Sequence, residues 1–352
     1  MKMGFVCAAG AWLLLAVGQV QAQSPLAPYV EHEKRLRAAQ EVAPLKSELF
    51  GDNISLYNGA IEFAVTDIDL PGNNALPVQL RRRFKVESMK EVEPLGGFGV
   101  WDLDVPYMYG TFDALYKWNT SANGVAGRCS ENWLPNVHSP FTLREVWQGN
   151  MLHMPGSGDV EVLVSNLPAP NDGQTYTRAA SGFYRFRCKP TMSNGYPGEG
   201  FIAVDTAGTK YTFDAGVERG AGVMKMPGAA LARTKVFLMA SRVEDRFGNW
   251  VNYAYSGDKL TAITSSDGRS IAITWSGDTI VKAAANGREW HYAYTGGSNT
   301  IGMARFPWLS AVTLPDSSQF TYRYESTSPF GVLNTNYTPL DAEPARCAEP
   351  DF

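Results

Sequence analysis

The sequence predicts an exported all-β protein built from antiparallel strands, and three observations support this. The N-terminal segment has the features of a secretory signal. From about residue 49 onward, apolar and polar residues alternate with the period of two that is typical of half-buried strands. Between residues 205 and 325, a glycine followed by two aromatic residues recurs several times. The fold class is therefore all-β, with repeated strand pairs in its C-terminal half.

Residues 1–22 have the organisation of a signal peptide. Lys2 supplies a positive charge, Phe5 to Val17 form an apolar run, and small residues precede the expected cleavage after Ala22. The run is short for a membrane helix, which needs ~20 apolar residues. We therefore expect a secreted, periplasmic or cell-surface protein, with no transmembrane segment once the signal is removed.

The composition and charge narrow the class of protein and its partners, and the pattern along the chain divides it into regions. Of the 352 residues, 44% are hydrophobic, which suffices for a packed core, and the formal charge of −4 argues against a nucleic-acid partner. Residues 23–48 predict a short N-terminal helix or linker that Pro44 terminates. An N-terminal β region (49–200), a repeat region (201–325) and a proline-rich tail or connection to further repeats (326–352) follow.

Charged residues in the predicted N-terminal strands are interpreted as solvent-facing. The run Arg81–Arg83 closes an alternating strand and is expected at a solvated strand end. The pairs Asp67 with Asp69 and Asp102 with Asp104 each share a strand face, because residues two apart point to the same side. Paired carboxylates serve glycoside hydrolysis or calcium binding in other proteins, but at strand ends they are more often exposed.

The repeat has a defined register. Aromatic or large apolar residues follow each anchor by five and seven positions, so both lie on one face of a strand. The anchor is a glycine at 248, 268 and 287, where a turn requires a positive φ, and Ser317 replaces it in the last copy. Stacked units are expected to bury a continuous aromatic face. The signature residues are Gly248, Tyr253, Tyr255, Gly268, Trp275, Gly287, Tyr292, Tyr294, Tyr322 and Tyr324.

The segment from Asp245 to Tyr255, followed by Leu260 and Ile263, resembles a tyrosine–aspartate (YD) repeat of the RHS family. Residues 51–77 are similar to the N-terminal region of large secreted RHS-like proteins of bacteria. This resemblance implies YD-like strips of antiparallel strands wound into a hollow β-shell, which in many members encloses a C-terminal toxin. With about four good repeats here, it implies an open, partial β-shell whose partners are further RHS repeats or a C-terminal effector.

Three cysteines remain after signal cleavage, and in an oxidising compartment one disulfide is expected. Cys129 and Cys188 are the favoured pair because both lie in the folded part, and Cys347 is left over. Three separate thiols are the alternative. No C-x-x-C motif is present, which excludes a zinc ribbon or a thioredoxin-type site.

Motifs that carry chemistry are missing from the sequence. It contains no H-E-x-x-H zinc motif, no G-x-S-x-G nucleophile elbow and no phosphate-binding glycine loop, so we expect neither catalysis nor a cofactor. Trp118 and Trp133 lie in a long loop and form a candidate ligand loop, because exposed tryptophans stack on sugars or anchor partners. Packing of that loop onto the sheet is the alternative.

Two functional hypotheses remain. The first is a structural module of an exported RHS-like β-shell, the N-terminal part of a toxin-encapsulating or cell-surface repeat protein, without catalysis of its own. The second is a stand-alone secreted or periplasmic protein that binds glycans or another partner through its aromatic loop. Continued repeats downstream would favour the first.

Overall fold

A computed structural model describes residues 52–54, 61–86, 95–118, 127–131, 134–165, 170–296 and 307–322. The predicted signal peptide, the leader helix and the tail lie outside these ranges, as do Trp133 and Tyr324, and the N-terminal helix finds no support. The described part is 57% strand and 3% helix, which confirms the all-β prediction. No helix within it is both long and apolar enough to cross a membrane.

The described residues contain twenty strands, which form three groups in chain order. The N-terminal strands are β1 (Asp52–Ile54), β2 (Ile61–Asp69), β3 (Gln79–Val86), β4 (Gly97–Phe98) and β5 (Trp101–Leu103). The middle strands are β6 (Tyr107–Asp113), β7 (Asn150–Met154), β8 (Gly158–Val164), β9 (Arg178–Ala180), β10 (Tyr184–Lys189), β11 (Gly200–Val204), β12 (Lys210–Met226) and β13 (Ala229–Glu244). The repeat strands are β14 (Trp250–Ser256), β15 (Lys259–Ser265), β16 (Ser270–Ser276), β17 (Thr279–Ala285), β18 (Arg288–Thr295), β19 (Trp308–Thr313) and β20 (Gln319–Thr321). A single helical turn, α1 (Leu143–Val146), and a 3-10 turn at Ser181–Phe183 interrupt the middle group.

The middle strands close into an eight-stranded antiparallel barrel. Each strand from β6 to β13 pairs with the next, and β13 returns to pair with β6 between Arg233 and Met239. The prediction of an open shell is therefore wrong. The closure joins residues more than 100 positions apart, which a pattern of local alternation does not reveal. A closed barrel has no free strand edge.

Strand β13 belongs to both the barrel and the repeat sheet. Its middle residues, Arg233 to Met239, pair with β6, and its last residues, Arg242 to Glu244, pair with β14. From there β14 to β20 form an antiparallel meander. The barrel extends to Glu244, so it crosses the predicted boundary between residues 200 and 201.

The N-terminal strands form a small sheet of their own in the order β1, β2, β3, β5 and β4. This sheet reaches the repeats where Gly97 of β4 pairs in parallel with Thr279 of β17. One continuous cluster of buried apolar residues joins the N-terminal sheet, the barrel and the repeats. The repeats are thus packed against the start of the chain.

Trp118 is part of the barrel core and is not a ligand-binding side chain. Only 2% of it is exposed, and its ring centroid lies 5.2 Å from that of Phe112 on β6 and 6.0 Å from that of Phe201 on β11. These two strands are not neighbours in the barrel, so the indole lies in the barrel interior. The candidate ligand loop at Trp118 is therefore wrong, because a small barrel must fill its interior with side chains.

The structure contains the predicted disulfide between Cys129 and Cys188, with Cα atoms 5.4 Å apart. It ties the segment after Trp118 to strand β10. Arg128 lies beside it and donates hydrogen bonds to the carbonyl oxygens of Pro197 and Glu199. Covalent and polar contacts together therefore hold this segment against the barrel.

Replacing both Cys129 and Cys188 with alanine is expected to lower the free energy of unfolding by about 4 kcal/mol. The bridge spans 59 residues, and the chain-entropy model assigns this magnitude to a loop of that length. Chemical denaturation measures the change, with Cys347→Ser as the control for removal of a cysteine outside the bridge. A bridge from Cys129 or Cys188 to Cys347 in non-reducing peptide mapping would contradict the assignment.

Candidate functional site

The repeat anchors occupy the predicted turns. Gly248 and Gly268 have φ values of 86° and 87°, Gly287 has 72°, and Ser317 adopts 68° without being a glycine. At Gly248, Gly268 and Ser317, the amide donates to the carbonyl oxygen three residues earlier. This is the pattern of a type I turn followed by a left-handed residue. The register read from the sequence therefore extends through the copy that lacks the glycine.

The first aromatic position of each repeat points into the core. Tyr253 and Tyr292 are 9% and 5% exposed, and Ile273 holds the same position in the repeat between them. Their cross-strand neighbours, such as Ile263 for Tyr253, are small or apolar. Since isoleucine fills this position in one repeat, packing there requires bulk but no hydroxyl group.

The second aromatic position, at Tyr255, Trp275 and Tyr294, has the same role in all three repeats, and this role differs from that of the first position. Each of these residues lies at an irregularity of the strand register, two residues after the first position. Each side chain donates a hydrogen bond to a backbone carbonyl oxygen of the preceding strand. The bonds are Tyr255 Oη to Ala240 O at 3.0 Å, Trp275 Nε1 to Leu260 O at 2.7 Å and Tyr294 Oη to Ile280 O at 2.5 Å.

These three carbonyl groups share one position in their strands. Ala240, Leu260 and Ile280 each lie two residues before the first residue that pairs with the next repeat strand. A buried carbonyl that the ladder does not reach must find another donor. The second aromatic residue supplies it, so we call this contact the aromatic lock between neighbouring units.

Two residues of the arginine run, Arg82 and Arg83, are buried, which corrects the expectation of a solvated strand end. Arg82 is 0% exposed, and its guanidinium binds both carboxylate oxygens of Asp67, at 2.9 and 3.2 Å. Arg82 Nη2 also donates to Tyr322 Oη at 2.6 Å, and Tyr292 Oη donates to Asp67 Oδ2 at 3.1 Å. The guanidinium lies 4.7 Å from the ring centroid of Trp101. This group of residues, the Arg82 cluster, fastens β2 and β3 to the last repeats.

A second buried network surrounds His153, which is 1% exposed. Its Nε2 lies 2.8 Å from Asp104 Oδ1, and its Nδ1 lies 2.6 Å from Asp159 Oδ1. Arg81 Nε donates to the other oxygen of Asp104 at 3.0 Å, and Arg83 reaches the His153 ring at 3.1 Å. The expectation that Asp67 and Asp104 face solvent is therefore wrong. Their partners lie between 15 and 225 residues away, and no motif search detects such spacings.

Asp104 has a lowered pKa. Burial alone raises the pKa of this carboxyl, but the hydrogen bond from His153 and the charges of Arg83 and Arg81 outweigh it. Among the described side chains, no group of three or more His, Cys, Asp or Glu residues is arranged to hold a metal ion. The network around His153 is thus a set of ion pairs at the junction between the N-terminal sheet and the barrel.

A cavity of about 260 Å³ lies at this junction. Its walls come from β3, the segment after β5, the turn between β7 and β8, the barrel strands β10, β12 and β13, and the first repeat strand β14. Leucine, valine, proline and methionine side chains form the apolar part of the wall. The polar groups that line it are Gln79, Arg81, Asp104, Ser157, Tyr184, Tyr211 and Tyr253. Sequence analysis missed this cavity because its residues come from seven separate parts of the chain.

Tyr255→Phe and Tyr294→Phe are each expected to lower the free energy of unfolding by about 1–3 kcal/mol. Each change removes the lock hydrogen bond and leaves a partly buried carbonyl without its donor. Tyr253→Phe is the control, because its hydroxyl has no hydrogen-bond partner among the described residues, and we expect a change near zero. Equal stability of all three variants in urea denaturation would refute the lock.

Asp104→Asn is expected to destabilise the protein by about 3–5 kcal/mol at pH 7, because it breaks a buried ion pair. The lowered pKa means that the stabilisation by Asp104 is present above its unfolded-state pKa of about 3.9 and is lost as the pH falls through the folded-state value. The variant should therefore show a shallower fall in stability below pH 4. The exposed Asp69→Asn serves as control, and identical acid limbs for the two variants would contradict the role of Asp104.

Comparisons with known proteins find a distant likeness in fold. No protein-family model matches the chain, and no curated protein matches it. Among solved structures, the chain is similar to the N-terminal domain of effector protein SpvB from Salmonella typhimurium strain LT2. The match has 12% identity and a TM-score of 0.33, and covers 74% of this chain and 100% of that chain. A likeness this distant carries no argument about function.

Proposed function

We propose that this chain is a structural module of an exported RHS-like repeat protein, without catalysis of its own. In this proposal the closed barrel caps one end of an array of stacked β-repeats, and further repeats extend the other end. The observation that carries the proposal is the aromatic lock, which repeats from β14 to β18 with the same donor position and the same acceptor position.

The barrel suits the role of a cap. Repeat arrays need a terminal unit that covers the first repeat and exposes no sheet edge. Here the middle of β13 closes the barrel, and its last three residues start the repeat sheet. The Ala240 carbonyl that accepts the first lock bond also belongs to β13. The first repeat is therefore held by the barrel in the way that each later repeat is held by its predecessor.

The far end of the array, at β20, has an exposed strand edge. Among the described strands, β20 pairs only with β19, and all three of its residues are exposed. Tyr322 N donates to Ser310 O on β19 at 2.8 Å. Successive backbone amides along a strand point to opposite sides. The amide of Thr321, next to that of Tyr322, therefore points away from β19. A further strand could therefore pair with this edge.

Two other features favour a secreted scaffold over an enzyme. The disulfide between Cys129 and Cys188 is typical of proteins that fold in an oxidising compartment. The carboxylates of Asp67 and Asp104 are engaged by Arg82, Arg81 and His153, so their charges stabilise the fold. The glycan-binding alternative no longer has Trp118 as its support, because that side chain is buried.

If β20 is the growing edge, the mature protein should self-associate with increasing concentration. Thr321→Pro removes the outward amide, which prolines do at natural sheet edges, and should weaken association by about tenfold, or ~1.4 kcal/mol. Thr321→Val retains the amide and is the matched control. Sedimentation velocity measures the effect, and a monomer at all concentrations would contradict the proposal.

A further inference from the structure

Tyr253 has a hydroxyl group that the fold does not use. Its side chain is 9% exposed and lines the cavity between the barrel and the first repeat. It donates to no described residue, although burial and the nearby charge of Asp104 raise its pKa and keep the phenol protonated. The hydroxyl is open to the cavity, where a water molecule or a bound ligand can accept its hydrogen bond.

The equivalent positions in the other repeats support this argument. Ile273 has no hydroxyl, and the hydroxyl of Tyr292 is bound by Asp67 at 3.1 Å. An apolar side chain is therefore enough for packing at this position. Where the residue is Tyr292, the protein itself provides an acceptor for the hydroxyl. Of Tyr253, Ile273 and Tyr292, only Tyr253 has a hydroxyl without an acceptor among the described residues, and its side chain lines the cavity.

The charges of the wall select a neutral ligand. Arg81 and Asp104 both line the cavity, and they are joined to each other at 3.0 Å. An anionic ligand would meet the carboxylate of Asp104, and a cationic ligand would meet the guanidinium of Arg81. Because the pair is already neutralised, neither sign of charge gains a free partner.

The remaining groups select a ligand that carries hydroxyl groups. Gln79 offers an amide that both donates and accepts, and Tyr184 adds a phenol. The tyrosine rings and the apolar side chains offer surfaces on which C–H groups pack. With about 260 Å³, the cavity is smaller than the ~300–1,000 Å³ of sites for drug-sized ligands, which limits the ligand to a small ring system.

We propose that this cavity binds one neutral sugar ring, with Tyr253 donating a hydrogen bond to a sugar oxygen. A single pyranose unit combines the small volume, the absence of charge, the several hydroxyl groups and the apolar C–H face that the wall matches. This site is separate from the repeat edge, so it goes beyond the role as a structural module. It also differs in place from the tryptophan loop considered from the sequence.

The test is a binding assay on the mature protein with glucose, galactose, mannose and N-acetylglucosamine, read by saturation-transfer NMR and calorimetry. We expect at least one of the four sugars to bind, and Tyr253→Phe to weaken that binding by about tenfold through loss of one hydrogen bond. Tyr255→Phe is the matched control: it lies two residues away on β14, donates to Ala240, and should retain binding while lowering the midpoint of thermal unfolding.

Three results would overturn the proposal. They are no binding of any of the four sugars at millimolar concentration, equal binding by the parent and Tyr253→Phe, or binding only of the aromatic probe p-cresol. Tyr253→Phe should fold as well as the parent, so a loss of binding in this variant is not explained by unfolding. The proposed function as a structural module is tested separately, at β20.

Discussion

The repeat sheet depends on one constraint: a carbonyl oxygen that lies beyond its hydrogen-bonded ladder still needs a donor. Within units the ladders are long, with six residue pairs between β14 and β15 and five between β16 and β17. Between units they contain only three or four pairs. The aromatic lock supplies the missing donor where each short ladder ends. Neighbouring units are thus joined by a side chain as much as by their backbones.

The N-terminal sheet adds a second means of holding the repeats. The Arg82 cluster brings a guanidinium, a carboxylate and two phenols together in a buried place. Desolvation of such a pair opposes folding, and Arg82 Nη1 and Arg83 Nε have no hydrogen-bond partner among the described residues. The cluster therefore contributes less to net stability than its number of contacts suggests. We attribute to the cluster a role in fixing the packing of β3 against β18, because the hydrogen bonds of Asp67, Tyr292 and Tyr322 form together only in one arrangement.

The sequence was sufficient for features that depend on short spacings. The all-β class, the turns at Gly248, Gly268 and Ser317, and the inward face of Tyr253 and Tyr292 all follow from residues fewer than ten positions apart. Contacts between distant segments were not accessible in this way. The barrel closes through β6 and β13, and the partners of Arg82 and His153 come from other strands. Residues such as Trp118 and Arg82 were placed on the surface because their local sequence is polar or loop-like, whereas burial is decided by the tertiary fold.

The same dependence on distant segments explains why the cavity lies beside the first repeat. Tyr292 packs against Phe98 of the N-terminal sheet, where Asp67 accepts the hydrogen bond from its hydroxyl. The first repeat instead meets the barrel and the segment after β5, where Asp104 is already held by Arg81 and His153. No hydrogen bond joins Asp104 to Tyr253, so the hydroxyl of Tyr253 remains available. The first repeat has the same strand pattern as the later ones, but it packs against the barrel instead of the N-terminal sheet. This difference in surroundings leaves it with a free hydroxyl group at Tyr253.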